Sequence, residues 1–121
     1  MILQKQTDEI LVQHRNDPLC GYSRDGIIAL LKEKLSSRVE EAWIFGSFAL
    51  KRMHPFSDID LILIKKTDKP FISRPEDFDD LLDIGPVLDV LVYTPVEFKK
   101  LISPPLAGFW KTASESMVRL V

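Results

Sequence analysis

The sequence predicts one α/β domain, in which a small sheet is covered by helices on both faces. The chain has 121 residues, which is long enough to bury one core and too short for a second lobe. Strand-like and helix-like segments alternate along it, and one strand-like segment, residues 58–64, is apolar on both faces apart from its aspartates. Alternation of this kind is typical of a sheet with helices packed against it.

The chain divides into an extension and a domain. Residues 1–22 form the predicted N-terminal extension, in which a few apolar residues have partial helical spacing and indicate one helix at most. The domain, residues 23–121, is predicted to begin with a helix that Ser23 caps and that ends near Ser36 or Ser37. An apolar stripe on this helix is expected to face the core. It consists of Ile27, Ile28, Leu30, Leu31 and Leu35.

Three strands follow, separated by two connections. Residues that are β-branched, aromatic or otherwise apolar predict strands over 39–45, 58–64 and 87–93. The segment SRPEDFDDLLDIG carries a predicted capping box from Ser73 to Glu76, with Gly85 as its stop signal. We therefore expect a short helix between the second and third strands.

The end of the chain adds helices and one edge strand. A second capping box, from Thr94 to Glu97, predicts a helix over Pro95–Leu101 with proline at its first position. A further helix is expected around residues 107–115, after two prolines, and an edge strand within residues 117–121.

Composition excludes several classes of protein. The 16 basic and 18 acidic residues nearly balance, so no electrostatic footprint for nucleic acid is visible. The single cysteine, Cys20, excludes an internal disulfide framework. No apolar run approaches the roughly 20 residues of a membrane span, and the first ten residues are too polar for a signal peptide. A cytoplasmic protein is therefore expected, without a membrane partner and with nucleic acid an unlikely one.

Two aspartates occupy positions where a buried strand would take apolar residues. Asp58 and Asp60 alternate with Ile59, so they share one face about 7 Å apart. Like charges on an apolar sheet repel and raise each other's pKa unless a cation compensates them, and Mg²⁺ or Mn²⁺ is the natural candidate. For an isolated pair of this spacing the commoner explanation is a solvated strand start, since short motifs specify function loosely.

A third carboxylate changes that balance. Asp89 lies inside the predicted strand 87–93, again at a position suited to an apolar residue. If the two strands are neighbours, the three carboxylates form the ligand set of a two-metal phosphoryl-transfer centre. Asp80 and Asp83 are rivals for the third role. They lie beside Asp77 and Asp79 on a predicted surface helix, where solvated charges are the simpler interpretation.

A Gly-Ser step precedes the carboxylates. Gly46 ends the first predicted strand, and Ser47 begins a single predicted helical turn through Leu50 and Lys51. Glycine lets a phosphate approach the backbone, and a helix N-terminus favours negative charge. Alone, the step is most often an ordinary strand-to-helix turn, so its value lies in its spacing to the aspartates.

These residues together resemble the nucleotidyltransferase superfamily that includes DNA polymerase β, and in particular its minimal single-domain members. Their pattern is G-S-x-A-x-G, a loop, and S-D-x-D-L, and Ser47 lies 11 positions before Asp58, as in the family. The resemblance covers residues 23–98. The matching residues are Gly46, Ser47, Phe48 and Ala49, then Ser57, Asp58, Ile59, Asp60 and Leu61. The chain departs from the pattern at Leu50 and Lys51, where the family usually has Arg-Gly.

The resemblance implies a polymerase β-like palm fold, with a mixed sheet of three to four strands, and transfer of a nucleoside monophosphate to an acceptor hydroxyl. It implies that Asp58, Asp60 and Asp89 are catalytic and hold two Mg²⁺ or Mn²⁺ ions. ATP is the expected donor. The implied nucleotide-binding residues are Gly46, Ser47, Ser57 and Lys51. For Lys51, for Arg52 and for His54, a solvated loop position remains the alternative.

The resemblance also implies a partner. Minimal members are commonly paired with an all-helical HEPN-type toxin, of which they adenylylate a tyrosine, so an antitoxin role is expected. A homodimer is a second open expectation. One alternative is a non-catalytic module that binds nucleotide or metal and neutralises its partner by contact, which the departure at Lys51 favours. A phosphoacceptor receiver domain fits the length, but its aspartates would come in a different order.

Overall fold

A computed structural model describes residues 17–121. The predicted N-terminal helix falls mainly on residues 1–16, outside the described residues. Residues 17–22 form turns, in which the Cys20 N–H donates to the Asp17 carbonyl and the Tyr22 N–H to the Leu19 carbonyl.

A mixed sheet of four strands forms the centre of the described chain, in the order β3-β2-β1-β4. Strand β1 pairs antiparallel with both β2 and β4, and β2 pairs parallel with β3. The strands are β1 Glu41–Phe45, β2 Ile59–Ile64, β3 Leu88–Tyr93 and β4 Val118–Arg119. The predicted fold class is thus confirmed, with strand ends that agree with the expected ones or differ by one or two residues.

Helices cover both faces of this sheet. They are α1 Arg24–Leu35, α2 Gly46–Ala49, α3 Pro95–Leu101 and α4 Gly108–Ser116. The caps that the sequence predicts are present: the Ser23 hydroxyl accepts from the Gly26 N–H at 2.9 Å, and Thr94 and Glu97 form a complete capping box. Within residues 17–121, no helix is long and apolar enough to cross a membrane.

The connection between β2 and β3 differs from its prediction. Phe71–Ile84 is a 3₁₀ segment that begins after Pro70, and the expected capping box at Ser73 is wrong, because that residue lies inside the segment. Pro75 has no N–H to donate within it, and the backbone leaves helical geometry at Phe78, where φ is −117°. These two interruptions explain why the aspartate-rich sequence does not form a regular α-helix.

The two faces of the sheet bury different side chains. The first face packs aliphatic residues of β1 and β2 against α1 and the 3₁₀ segment, with Ile44, Leu61 and Leu63 fully buried. The second face, which we call the aromatic face, packs against α3 and α4. Its aromatic residues are Trp43, Phe45, Tyr93, Phe98 and Trp110. Because side chains alternate along a strand, Asp60 and Asp89 belong to the aromatic face.

A buried arginine joins the 3₁₀ segment to α3. Arg74, only 7% exposed, donates to the Val92 carbonyl at 3.1 Å and makes two bonds to Glu97, of 2.6 and 3.2 Å. The Glu97 carboxylate also accepts the Thr94 N–H. These hydrogen bonds, first of all those from Arg74, lower the pKa of Glu97 from 4.5 to about 2. The pair therefore anchors the start of α3 beside the end of β3.

Glu97→Gln is expected to destabilise the protein at neutral pH by about 1–3 kcal/mol, because Arg74 loses its charged partner while it remains buried. A folded-state pKa of about 2 against 4.5 means that this contribution is complete above pH 4.5 and is lost as the pH falls through 2. Urea unfolding between pH 7 and pH 2.5 measures it. A stability difference that stays constant over this range would contradict the ion pair, and Glu33→Gln, on an exposed position of α1, is the control.

Candidate functional site

Three neighbouring strands bring Phe45, Asp60 and Asp89 into one row. Phe45 of β1 is the register partner of Asp60 in β2, and Asp60 is the register partner of Asp89 in β3. Directly opposed residues project from the same face of a sheet, at strand spacings of about 5 Å. Asp58 lies one residue before β2 and is exposed, as is Asp89, whereas Asp60 is half-buried.

Asp58, Asp60 and Asp89, which we call the carboxylate row, form an acidic group that no positive charge compensates within residues 17–121. Burial raises the pKa of Asp60 from 3.8 to about 6, and the negative charges of Asp89 and Asp58 add to the shift. The ion pairs found within residues 17–121 involve other carboxylates, so none of them neutralises this group. The three side chains predicted to act together are therefore electrostatically coupled.

The same part of the chain contains no group of three or more His, Cys, Asp or Glu side chains arranged as a ready-made metal cage. The acidic group is an open one: Asp60 is half-buried, and Asp58, two residues before it, and Asp89, on the neighbouring strand, are exposed. Carboxylate oxygens are the ligands that hard divalent cations take, and Mg²⁺ commonly combines one or two of them with substrate phosphates and water. The donor set fits Mg²⁺ in that sense.

Gly46 is required beside Asp60 for two reasons. Its φ of +71° is a backbone conformation that residues with a side chain rarely adopt. In addition, a Cβ on Gly46 would lie 2.4 Å from the Asp60 Oδ2 atom. The glycine thus turns the chain from β1 into α2 and also leaves room for the carboxylate.

The nucleotide-binding role of Gly46 stays a prediction, and its amide is engaged within the protein. It donates to the Ser116 hydroxyl at 2.9 Å, and that hydroxyl donates to the Ala113 carbonyl. Ser116 is buried at the end of α4. Sequence reasoning missed this residue because no local motif marks it. Ser47, the next residue, is half-buried in the first turn of α2.

The departure at Lys51 leaves the backbone turn intact. Lys51 has a φ of +58°, the left-handed conformation that glycine usually supplies after a helix. Its N–H donates to the Phe48 carbonyl at 3.2 Å, and the Arg52 N–H donates to the Ser47 carbonyl at 2.8 Å. These two bonds are the pair that closes a Schellman motif. The short helix therefore ends at Ala49, and the Lys51 side chain is exposed.

Arg24 holds the same short helix from outside. Its guanidinium donates to the Phe48 and Ala49 carbonyls and lies 4.6 Å from the centre of the Phe48 ring. A positive charge at the C-terminal end of a helix satisfies carbonyls that lack partners within the helix. Arg24 is a second supporting residue that the motif did not indicate.

Ser57 closes the loop before the carboxylates. Its hydroxyl accepts the His54 N–H at 2.8 Å, and its own N–H donates to the His54 carbonyl. The His54 ring in turn accepts the Phe56 N–H at 3.2 Å. The buried Ser57 side chain thus shapes the loop, and its nucleotide-binding role stays a prediction.

The rival aspartates are mostly engaged elsewhere. Asp80 pairs with Arg38 at 2.8 Å and Asp77 with Lys69, so these two carboxylates are neutralised at the surface. Asp83 is exposed on the 3₁₀ segment. Asp79 lines a cavity of about 280 Å³ together with Asp89.

Apolar side chains border the acidic group. Phe56 is 85% exposed and Val87 62%, and both line a cavity of about 260 Å³ with Asp58. Leu82, 64% exposed, lines the cavity that contains Asp89. Phe56 and Val87 line the same cavity, and contiguous apolar surface beside polar residues is a feature of partner-binding sites, whereas single exposed apolar residues are common.

Gly46→Ala should be far more costly than Gly108→Ala. Gly108 also has a positive φ, +56°, but has no atom within 4 Å of an added Cβ, so it isolates the backbone cost of about 1 kcal/mol. At Gly46 the displaced Asp60 carboxylate should add about 1–3 kcal/mol. Denaturant unfolding of both variants measures the difference, and equal losses would show that Asp60 does not crowd the glycine.

Asp60→Asn should stabilise the protein above pH 6 by about 1–2 kcal/mol, allowing for screening of this partly exposed group. Asp60 has a pKa of about 6 in the folded state and 3.8 in the unfolded state, so the folded protein binds the proton more tightly. The free energy of unfolding therefore falls as the pH rises from 3.8 through 6. The asparagine variant should lack this fall. Thermal unfolding from pH 4 to pH 8 tests it, and an unfolded variant at pH 8 would instead make Asp60 a structural residue.

Comparisons with known proteins agree with this geometry. Residues 26–113 match the family described as polymerase beta, nucleotidyltransferase, which covers more than half of the chain. The structure is similar to that of a Sulfolobus solfataricus protein provisionally assigned as a nucleotidyltransferase, with a TM-score of 0.52 and 21% identity over 79% of this chain and 80% of that one. At this identity the likeness shows the fold. No curated protein is significantly similar in sequence. The matched residues include the whole row of carboxylates and the glycine turn, and the chain belongs to the polymerase β nucleotidyltransferase family.

Proposed function

We propose that the chain transfers a nucleoside monophosphate from a nucleoside triphosphate, with ATP as the first candidate, to an acceptor hydroxyl. The observation that carries the proposal is the half-buried Asp60, coupled to Asp58 and Asp89 and placed against Gly46. A half-buried carboxylate with two carboxylate neighbours is costly for the fold, and phosphoryl transfer is a chemistry that uses such a group. Membership of the nucleotidyltransferase family supports the same reaction class.

A divalent cation, Mg²⁺ or Mn²⁺, would be held by Asp58, Asp60 and Asp89, and two such ions are expected in the active complex. Bound there, the metal supplies positive charge against the phosphate oxygens and the attacking oxygen. The raised pKa of Asp60, about 6, supports this assignment, because a cation bound there would favour the ionised carboxylate.

The chain's own residues position the reactants. Gly46 gives close access to the backbone, and the turn at Ser47 is fixed by Ser116 before it and by Arg24 after it. In the reaction, the acceptor oxygen bonds to the α-phosphorus while the bond from that phosphorus to pyrophosphate breaks. Asp89 is exposed and is our candidate to receive the proton that the acceptor loses. Lys51, exposed after the turn, is available for an outer phosphate.

A protein is our first candidate for the acceptor. Phe56 and Val87 expose apolar surface in the cavity that contains Asp58, which suits a macromolecular partner better than a small polar substrate. In line with the family resemblance, we propose a tyrosine of a HEPN-type helical toxin as the hydroxyl. This would make the chain an antitoxin that acts by modification.

Incubation of the chain with labelled ATP, Mg²⁺ and the product of the neighbouring gene tests the proposal, with intact mass measured for both proteins. A gain of one AMP on the partner is expected. The Asp58→Asn variant should transfer AMP at least about a hundredfold more slowly, because the substitution removes an exposed metal ligand without disturbing the core. Asp83→Asn removes an exposed aspartate outside the row and is the matched control.

Two results would contradict the proposal. A gain that survives in Asp58→Asn would place the chemistry elsewhere. No gain on any partner, together with a stable complex between the two proteins, would instead favour a binding module that neutralises its partner by contact. The retained turn at Lys51 gives that alternative no structural support, because the backbone keeps the glycine-like conformation.

A further inference from the structure

An exposed aromatic ring stands at the β1 end of the carboxylate row. Phe109, the second residue of α4, is 48% exposed. Its ring lies 5.6 Å from the ring of Phe45, which is the register partner of Asp60. The strand spacing and the ring contact together place this aromatic surface about 10 Å from the Asp60 carboxylate.

Among residues 17–121, two aromatic rings contact the Phe109 ring edge-on, and none is stacked on it. It meets the rings of Phe45 and Trp110 at 88° in both cases, with centroid distances of 5.6 and 5.2 Å. Neither neighbour lies parallel to it. The space beside the preceding residue is also open, since a Cβ on Gly108 would have no atom within 4 Å. A flat ligand could therefore stack on a ring that two aromatic neighbours orient.

The aromatic face changes character along the sheet. Towards the C-terminal end of β3, Tyr93 is covered by Trp110 and Phe71, with ring centroids 5.3 and 5.2 Å away. Towards the carboxylate row, Asp89 is exposed and Leu91 only partly buried. Phe109 contacts Trp110, which belongs to the covered part, and Phe45, which pairs with Asp60. It therefore lies between the covered part and the strand residue beside the central carboxylate.

We propose that Phe109 stacks on the nucleobase of the donor nucleotide. The inference rests on the proposed function, because it needs the phosphates of that nucleotide at the carboxylate row. A nucleotide joins a flat aromatic base to its phosphates through one sugar. The site offers an aromatic ring for the base and, at a matching separation, carboxylates that would bind the phosphates through a divalent cation. Stacking on an aromatic side chain tolerates any base, so Phe109 contributes affinity for the base and leaves base identity to other contacts.

Phe71 provides a matched comparison within the same chain. It is 45% exposed and packs on an aromatic residue, Tyr93, as Phe109 packs on Phe45. Tyr93, however, lies four residues after Asp89 along β3, or about 13 Å away. Exposed phenylalanines of this kind are common on protein surfaces. A role in base binding should therefore distinguish Phe109 from Phe71.

Calorimetric titration of the full chain with ATP and with inorganic tripolyphosphate, both with Mg²⁺, tests the inference. Tripolyphosphate has the phosphates and lacks the base. Phe109→Leu keeps an apolar side chain without a ring and should weaken ATP binding about tenfold, with less than about a twofold effect on tripolyphosphate. Phe109→Trp should restore ATP binding to about the wild-type level, and Phe71→Leu should leave both ligands unchanged.

The outcomes separate this inference from the proposed function. If Phe109→Leu weakens the binding of both ligands equally, or does not weaken the binding of ATP, the stacking role is overturned and the phosphate site stands. Failure of Phe109→Trp to restore binding also overturns it, provided that thermal unfolding shows a folded variant. Absence of binding of either ligand by the wild-type chain overturns the nucleotide site itself and the stacking role with it.

Discussion

The contact between the Asp60 carboxylate and Gly46 is the constraint on which the site depends. The carboxylate is half-buried on the central strand β2, and it leaves no room for a side chain on Gly46, the residue that follows β1. Its burial and its charged neighbours raise its pKa to about 6, so the fold bears an electrostatic cost near neutral pH. Close contacts and perturbed carboxylates of this kind cluster at functional sites.

The short helix after Gly46 has little stability of its own. Four residues form barely one turn, and isolated helices of that length do not persist in water. Two distant parts of the chain hold it: the Ser116 hydroxyl accepts the amide at its start, and Arg24 donates to the carbonyls at its end. The glycine turn is therefore positioned by α1 and α4 as much as by its own motif.

The two faces of the sheet have different tasks. The aliphatic face is closed by α1 and the 3₁₀ segment, and its residues from β1 and β2 are fully buried, so it supplies most of the hydrophobic stabilisation. The aromatic face is covered by α3 and α4 only in part, and the carboxylate row lies at its exposed end. The ion pair of Arg74 with Glu97 fixes α3 there. One sheet thus combines a rigid support with an accessible reaction surface.

The sequence by itself determined the fold class, the helix starts at Ser23 and Thr94, and the spacing that brings Asp58, Asp60 and the Gly46 turn together, because caps and strand alternation are local properties. It did not determine the 3₁₀ segment, in which Pro75 lacks the backbone N–H that a regular α-helix would need there. The parallel pairing of β2 with β3, which aligns Asp89 with Asp60, became visible only in three dimensions. The same holds for Ser116 at the Gly46 amide, Arg24 at the end of α2 and Phe109 over Phe45. Each of these contacts joins residues that are far apart in the chain, so only the tertiary structure could decide them.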